Sequence, residues 1–450
     1  MKGVKGAGVG SGLDPVQAVL AYNAGREPER LALKYRAMCA SPFVFLRGTC
    51  HLFYAGLPDA PVLLDAPPVW ACGDLHLENF GSYRGDNHLV YFDITDFDEA
   101  ALAPLSWDLA RLLTSVLCAA GELGLARTPA RAMCGAVIDS YSQALAEGSP
   151  RWIERDVATG PVKTLLDGLR ERRRIDFLDS RTERRTERRA ERPTRKRRRL
   201  RIDGKRALAA TDAEHARVVQ LIGRFAKGQD DPAFFDVIDV ARRIAGTGSL
   251  GLERYLVLVA GKGSAGKRVA GKRDTGKREA GKRSSDSNHL LDLKLSLPSS
   301  LDTPLRERLK WAQPHWPHAA ERCVALEQRL QAVPAAMLHP IIARDRSYVL
   351  RSLLPSQDRV RLDPKHTDTD ELAQALRDMG RLAAWAHLRA SGRQGAANAD
   401  ALIAFGLQRK RWAAALLGVA DACAAQVKSD WQAWAAAVAE RGEEALAHGD

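Results

Sequence analysis

The sequence lacks the marks of a disulfide framework, of a cysteine-based zinc site and of a membrane span. Its seven cysteines (Cys39, Cys50, Cys72, Cys118, Cys134, Cys323 and Cys423) are odd in number, widely scattered and never form a C-x-x-C pair. No run approaches the ~20 uncharged apolar residues that a membrane helix requires, and the opening thirty residues have no secretory apolar core. The expectation is a soluble, cytoplasmic chain with no membrane partner. Net positive charge is also lacking over most of the length, although the whole carries +13. Residues 181–206 hold 14 basic and 4 acidic side chains and residues 262–283 hold 9 and 2, which leaves a net of −4 for everything else. The basicity therefore belongs to two tracts and not to the body of the protein.

What is present is ample apolar material: hydrophobic residues make up 45% of 450, enough for two or three domain-sized units or one two-lobed fold with insertions. The two basic tracts offer nothing to pack. The first repeats T-E-R-R and A-E-R four apart, and the second is the five-residue repeat "SAGKR VAGKR DTGKR EAGKR". Both read as flexible surface loops, the first able to form a charged helix through Glu–Arg pairs four apart. The other reading of residues 181–206 and 262–283 is weak, salt-sensitive binding to a polyanion such as nucleic acid.

"LVLVAGKGSAGKR" places Gly261, Gly266 and Lys267 at the spacing of a phosphate-binding loop. Arg268 then stands where a Ser or Thr must hold magnesium, and no apolar-periodic helix follows to present its N-terminal amides. This is a decoy.

Along the chain, residues 1–27 read as a flexible tail. Residues 28–175 carry a buried aromatic segment around Arg47, a strand leading into "CGDLHLENF", a hairpin across "RGDN" and a helix at "PLSWDLARLL". Residues 176–206 are the basic insertion. Residues 207–365 hold the strand–turn–strand "DVARRIAGTGSLGLERYLVLVAG", the strand "HLLDLKLS", a helical stretch over 304–332 and the strand "ARDRSYVLRSLLP". The repeat at 261–285 interrupts this unit at a hairpin tip. Residues 366–450 are helical, beginning with an amphipathic helix whose apolar face includes Leu372, Leu376, Met379 and Ala386.

The chemistry concentrates in three places. In "CGDLHLENF", Asp74 and Asn79 are five apart, the spacing at which protein kinases place a proton-accepting Asp and a metal-binding Asn. Seventeen residues after Asn79, "TDFDEA" offers Asp96 as the second magnesium ligand, with Asp93 and Asp98 beside it. Magnesium takes hard oxygen donors and often only one or two from protein, so Asn79 and Asp96 suffice. "GTGSLG" then sets Gly246, Gly248 and Gly251 in G-x-G-x-x-G spacing between two strands, where a glycine loop lets the backbone approach phosphates. Lys294 is the Lys inside the apolar strand that follows, and an inward Lys needs an anion. Glu321 and Glu327 are its candidate helix partners. Asp74 and Asn79 have a plain alternative as helix or turn caps, and "GTGSLG" as a simple hairpin turn. His76 reads as an orienting residue, since no second His or Cys lies at ligand spacing. Arg47 is either a buried partner of Asp74 or Asp108, or a phosphate contact.

Gly73, Asp74, His76 and Asn79, then Asp96, Phe97, Asp98 and Ala100, then Pro104, Asp108, Leu109 and Ala110, resemble the aminoglycoside phosphotransferase and choline kinase branch of the kinase-like superfamily. Cys72 replaces that branch's leading His, which is mainly an orienting residue. The resemblance implies a two-lobed α+β kinase-like fold. The glycine loop and Lys294 follow the Asp74 loop where kinases place them before it, so the fold would be circularly permuted, with two low-complexity basic insertions; "WAHLRASG" resembles the helix that leads into a catalytic loop.

Six segments in order, "SPFVFLRG", "CGDLHLENFG", "FDITDFDEA", "DVARRIAGTGSLGLERYLVLV", "LDLKLS" and "YVLRSLLP", also resemble the bacterial domain of unknown function 2252 family over residues 30–410. Arg393 stands where that family typically has Asp, and the basic tracts look peculiar to this chain.

The expected function is ATP- and Mg2+-dependent phosphoryl transfer to an unidentified hydroxyl on a small molecule or protein. Asp74 would be the base, Asn79 and Asp96 would hold the metal, and Lys294 and the three glycines would hold the phosphates. The alternatives are nucleotidyl transfer, a non-catalytic kinase-like scaffold and a polyanion binder.

Overall fold

Alternation with a period of two explains the sheet. Every side chain of "RYLVLV" is buried, because both faces of the strand are covered. Tyr255, Val257 and Val259 share an apolar cluster with Leu291, Leu293 and the helix Asp212–Ala226. Leu256 and Leu258 share another with Leu290, Leu353 and Leu200. The computed structural model describes residues 14–189, 192–262, 285–354 and 359–449. Its fold is α+β.

The strands are β1 (Pro68–Ala71), β2 (Phe80–Arg84), β3 (Val90–Ile94), β4 (Ala101–Pro104), β5 (Ile153–Glu154), β6 (Thr182–Arg189), β7 (Arg192–Leu200), β8 (Ala207–Ala209), β9 (Val237–Arg243), β10 (Arg254–Val259), β11 (His289–Ser296), β12 (His339–Ala343) and β13 (Arg346–Ser352). Six form one antiparallel sheet in the order β12-β13-β11-β10-β9-β8. Three smaller sheets pair β1 with β4, β3 with both β2 and β5, and β6 with β7.

A second, helical core is built from both halves of the chain. The helix Leu105–Cys118 is buried on nearly every side, and Arg127–Glu147 packs against Thr369–Arg389 and Ala399–Leu407. The chain therefore builds part of the helical body, leaves it for the sheet and returns to complete it. No described helix is long and apolar enough to cross a membrane.

The strand–turn–strand at β9–β10, the strand bearing Lys294, the β2–β3 hairpin and the helix Thr369–Arg389 all form where the pattern places them. β10 and β11 are antiparallel neighbours, as expected of strands separated by an inserted repeat, and residues 263–284 of that repeat lie outside the described residues. The stretch 304–332 is helical only at Asp302–Arg308 and Ala319–Leu330.

Two expectations are corrected. Residues 15–23 are not tail: Asp14 caps the helix Pro15–Asn23 by accepting from the Val16 and Gln17 amides, Pro15 occupies its first turn, and Val19 and Asn23 are buried. Residues 1–13 of the expected tail lie outside the described residues.

The first basic tract is neither loose loop nor helix but the antiparallel β6–β7 pair. Pro193 forbids a continuous helix through it, and its ends are anchored. Arg198 is buried against Asp179, Asp286 and Thr182, Leu200 enters the sheet core, and the Leu200 amide donates to Asp239 at 2.7 Å.

Candidate active site

The loop after β1 turns sharply at Gly73, whose φ is +86°. A Cβ there would lie 2.1 Å from the Glu99 carbonyl oxygen, so only glycine fits. Asp108, buried in the central helix, holds this turn by accepting from the Cys72 and Gly73 amides at 2.7 and 2.8 Å. His387 Nε2 lies 3.2 Å from the same carboxylate, and its Nδ1 lies 2.8 Å from the Tyr141 hydroxyl. Three helices from the two halves of the chain thus meet behind the loop. Cys72 fixes a further point: its thiol donates to the Asp96 carbonyl at 3.2 Å.

In front of this support, the Asp74 Oδ1 accepts from both Nε and Nη2 of Arg111, the former at 2.7 Å. Arg111 is fully buried, and its guanidinium lies 4.9 Å from the centre of the Phe53 ring. The Asp74 side chain stays 22% exposed. Burial pushes its carboxyl up to about 6, against the lowering effect of Arg111. His76 accepts the Glu78 amide at Nδ1, so its neutral ring carries the proton on Nε2, 3.8 Å from Asp74 Oδ2. Burial and the nearby arginines hold His76 well below the ordinary imidazole value. Its ring stays neutral and its Nδ1 is committed to the Glu78 amide. Asn79 donates its amide to the Asp74 carbonyl, which leaves its Oδ1 as an acceptor.

The β2–β3 hairpin then delivers Asp96. Lys294 on β11 approaches its two carboxylate oxygens at 3.3 and 3.5 Å and also pairs with Asp98. Burial opposes ionisation of Asp96, but Lys294, Arg351 and Arg254 outweigh it and hold the carboxyl down to about 2. Asp98 is pushed up, by burial and by its neighbour Asp96. Asp93 is buried 3.2 Å from Arg389 and belongs to the support.

Asp74, Asn79, Asp96 and Asp98 line a cavity of about 80 Å³ with Gly246, Gly248 and Arg359. Gly246 and Gly251 both have positive φ, as tight turning between β9 and β10 requires. Gly251 packs on Arg26 and accepts from the Glu27 amide at 2.9 Å, so it shapes the loop from outside the cavity. Lys294 sits behind Asp96 in a smaller pocket with Cys323 and Glu327.

The residues here match the family model described as "Uncharacterized protein conserved in bacteria (DUF2252)" over residues 26–270 and 280–437. The chain belongs to this family. No curated protein and no solved structure matches it.

Membership in DUF2252 assigns no reaction, so the geometry carries the rest. It answers the question of partners differently from the sequence. Arg47 pairs with Glu78 at 2.8 Å and not with Asp74 or Asp108; the Asp74 cation is Arg111. Glu327 lies 3.4 Å from Arg351, and Glu321 closes a capping box with His318, so Lys294 takes Asp96 and Asp98 in place of a glutamate. Arg111 was visible as the one basic residue of an apolar helix whose other charge is Asp108. His387 and Tyr141 left no such signal, because their meeting with Asp108 is tertiary.

Among the described residues no three His, Cys, Asp or Glu side chains are grouped to hold a metal alone. An ionised Asp96 and the free Oδ1 of Asn79 still fit a magnesium ion that takes its other ligands from water and phosphate.

Proposed function

We propose that this protein is a phosphotransferase of the kinase-like superfamily, circularly permuted, that uses ATP and Mg2+ to phosphorylate a hydroxyl group on an unidentified acceptor. The observation that carries the proposal is that Asp74, Asn79, Asp96 and the Gly246–Gly248 loop line one cavity although about 170 residues separate the first part from the last. The permutation is supported by the His387–Asp108 contact, which sets the end of the helix Thr369–Arg389 against the loop that holds Asp74.

In this reading Asp74 accepts the proton of the attacking hydroxyl. A carboxyl raised to about 6 is still mostly ionised at neutral pH and is a better base than an ordinary Asp. Arg111 fixes its orientation, leaving Oδ2 for the acceptor. Asn79 Oδ1 and the Asp96 carboxylate would hold the ion, which when bound neutralises charge on the phosphates. Lys294, now shared by two carboxylates, would turn toward the phosphates when they enter. The glycine loop offers main chain close to them.

One observation favours a non-catalytic scaffold instead: the usual Lys–Glu pair is absent, with Glu327 given to Arg351. Calorimetry of ATP with and without Mg2+ decides between binding and none, and γ-phosphate release decides turnover. The catalytic reading requires Mg2+-dependent binding that Asp96→Ala and Lys294→Ala both weaken. It fails if neither substitution changes anything.

A further inference from the structure

A second cavity of about 260 Å³ adjoins the first and shares Asn79, Asp96, Gly246 and Arg359 with it. Its floor is the face of the large sheet that carries Arg243, Arg254 and Arg351. These cations are answered locally. Arg254 donates to both oxygens of Asp292 at 3.0 and 2.6 Å, Arg243 pairs with the same carboxylate, and Arg351 lies 3.4 Å from Glu327.

The rim is different. It is the end of the basic tract, Arg201 to Ala207, and its Lys205 and Arg206 side chains are exposed with no ion-pair partner among the described residues. This rim is built, not loose. Asp203 Oδ1 accepts from the Lys205, Arg206 and Ala207 amides at 2.9, 2.6 and 3.3 Å. The Arg206 carbonyl accepts from the Ile244 amide at 2.9 Å, just ahead of the glycine loop, and β8 continues the sheet beside β9. With its carboxylate turned to these amides, Asp203 forms no ion pair with Lys205 or Arg206, although Arg206 lies near enough to help hold it ionised.

A concave site whose floor sets three arginines against two carboxylates, and whose fixed rim adds exposed cations, concentrates its field on an anion that enters it. Ammonium and guanidinium groups suit phosphate oxygens. The volume lies just under the ~300 Å³ at which sites for drug-sized ligands begin, so a short chain of tetrahedral anions suits it better than a large ring system.

We propose that this cavity holds a linear chain of at least three phosphates, free or attached to a nucleoside, with Lys205 and Arg206 as its contacts on the rim. The inference deepens the nucleotide reading and rests on it only for the placing of the reacting end beside Asp96. It makes the last residues of the first basic tract a wall of the ligand site.

The test is calorimetry on the full chain at ~0.15 M salt, where long-range attraction is largely screened. Inorganic tripolyphosphate, ATP and adenosine are each titrated into the wild type, Lys205→Gln/Arg206→Gln and Arg184→Gln/Arg185→Gln. The last pair removes equal charge from the β6–β7 hairpin, outside the cavity lining. Tripolyphosphate and ATP bind the wild type, the rim variant weakens both about tenfold or more, and the hairpin variant changes them less than about twofold. No tripolyphosphate binding, or equal losses in the two variants, overturns the inference. If ATP binds no better than adenosine and the rim variant is unaffected, the phosphates lie elsewhere and the inference fails while nucleotide binding stands. If tripolyphosphate binds through the rim but no γ-phosphate is ever transferred, the inference stands and the phosphotransferase reading falls.

Discussion

Two aspartates share one cavity under opposite conditions. Asp74 has a single close cation, Arg111, whose influence burial overrides, so its carboxyl rises to about 6. Asp96 is partly buried as well, but it faces Lys294, Arg351 and Arg254 together and falls to about 2. The contrast shows that burial alone does not set proton affinity; the balance of cations and carboxylates facing the group decides its direction, and Glu99 and Asp96 add to the rise of Asp74. A pair of carboxyls pushed apart in this way divides into roles: the raised one exchanges protons near neutral pH, and the depressed one stays an anion available to a cation.

The comparison breaks most completely at its raised member. On the proposed function, Asp74→Asn removes the proton acceptor and leaves the Asp96 side intact, so phosphoryl transfer falls about 10²- to 10⁴-fold while ATP affinity, read by calorimetry, stays within about twofold. In the wild type, transfer should fall tenfold per pH unit below about 6, because the protonated form that grows there is inactive. A flat rate between pH 5 and 7 contradicts the assignment.

Arg111→Met strips Asp74 of its only close cation. A half-buried carboxylate is left unpaired, and stability in urea unfolding falls, by less than the ~3–5 kcal/mol of a fully buried broken pair. On the other side, Lys294→Met removes the nearest cation from Asp96 and weakens ATP binding by about 1.5–3 kcal/mol, with the Asp96 carboxyl moving upward. Gly73→Ala perturbs the turn that carries Asp74 and leaves Asp96 with its own contacts. Backbone strain alone contributes about 1–3 kcal/mol, readable as a lower Tm, and the contact with the Glu99 carbonyl adds to it.

Much of this was legible from residues one after another. Apolar runs on either side of a glycine-rich turn marked β9 and β10, a further apolar run marked β11, and the face Leu372, Leu376, Met379 and Ala386 marked the helix Thr369–Arg389. The five-residue interval from Asp74 to Asn79 and the later Asp96 pointed to a shared site, and those residues line one cavity. Other elements left weaker traces. β4 is four residues of Ala, Leu and Pro whose only reason to extend is its pairing with β1. The β6–β7 pair has no apolar alternation, and its ladder is made of backbone groups that any sequence supplies.

Partner choice was the least legible feature. Lys294 meets Asp96 and Asp98 across nearly 200 residues, and Arg111 displaces Arg47 as the cation on Asp74, because helix packing and strand register decide those meetings. Asp14 and Pro15 did signal a helix start, but a glycine-rich beginning concealed it.

The most direct measurement is a carboxyl-¹³C NMR titration of the wild type, Asp74→Asn and Asp96→Asn. The account predicts one aspartate resonance with its midpoint near 6, lost in Asp74→Asn, and another still ionised at pH 3, lost in Asp96→Asn. If both carboxyls titrate together near the usual ~3.9, the division of roles between Asp74 and Asp96 is contradicted.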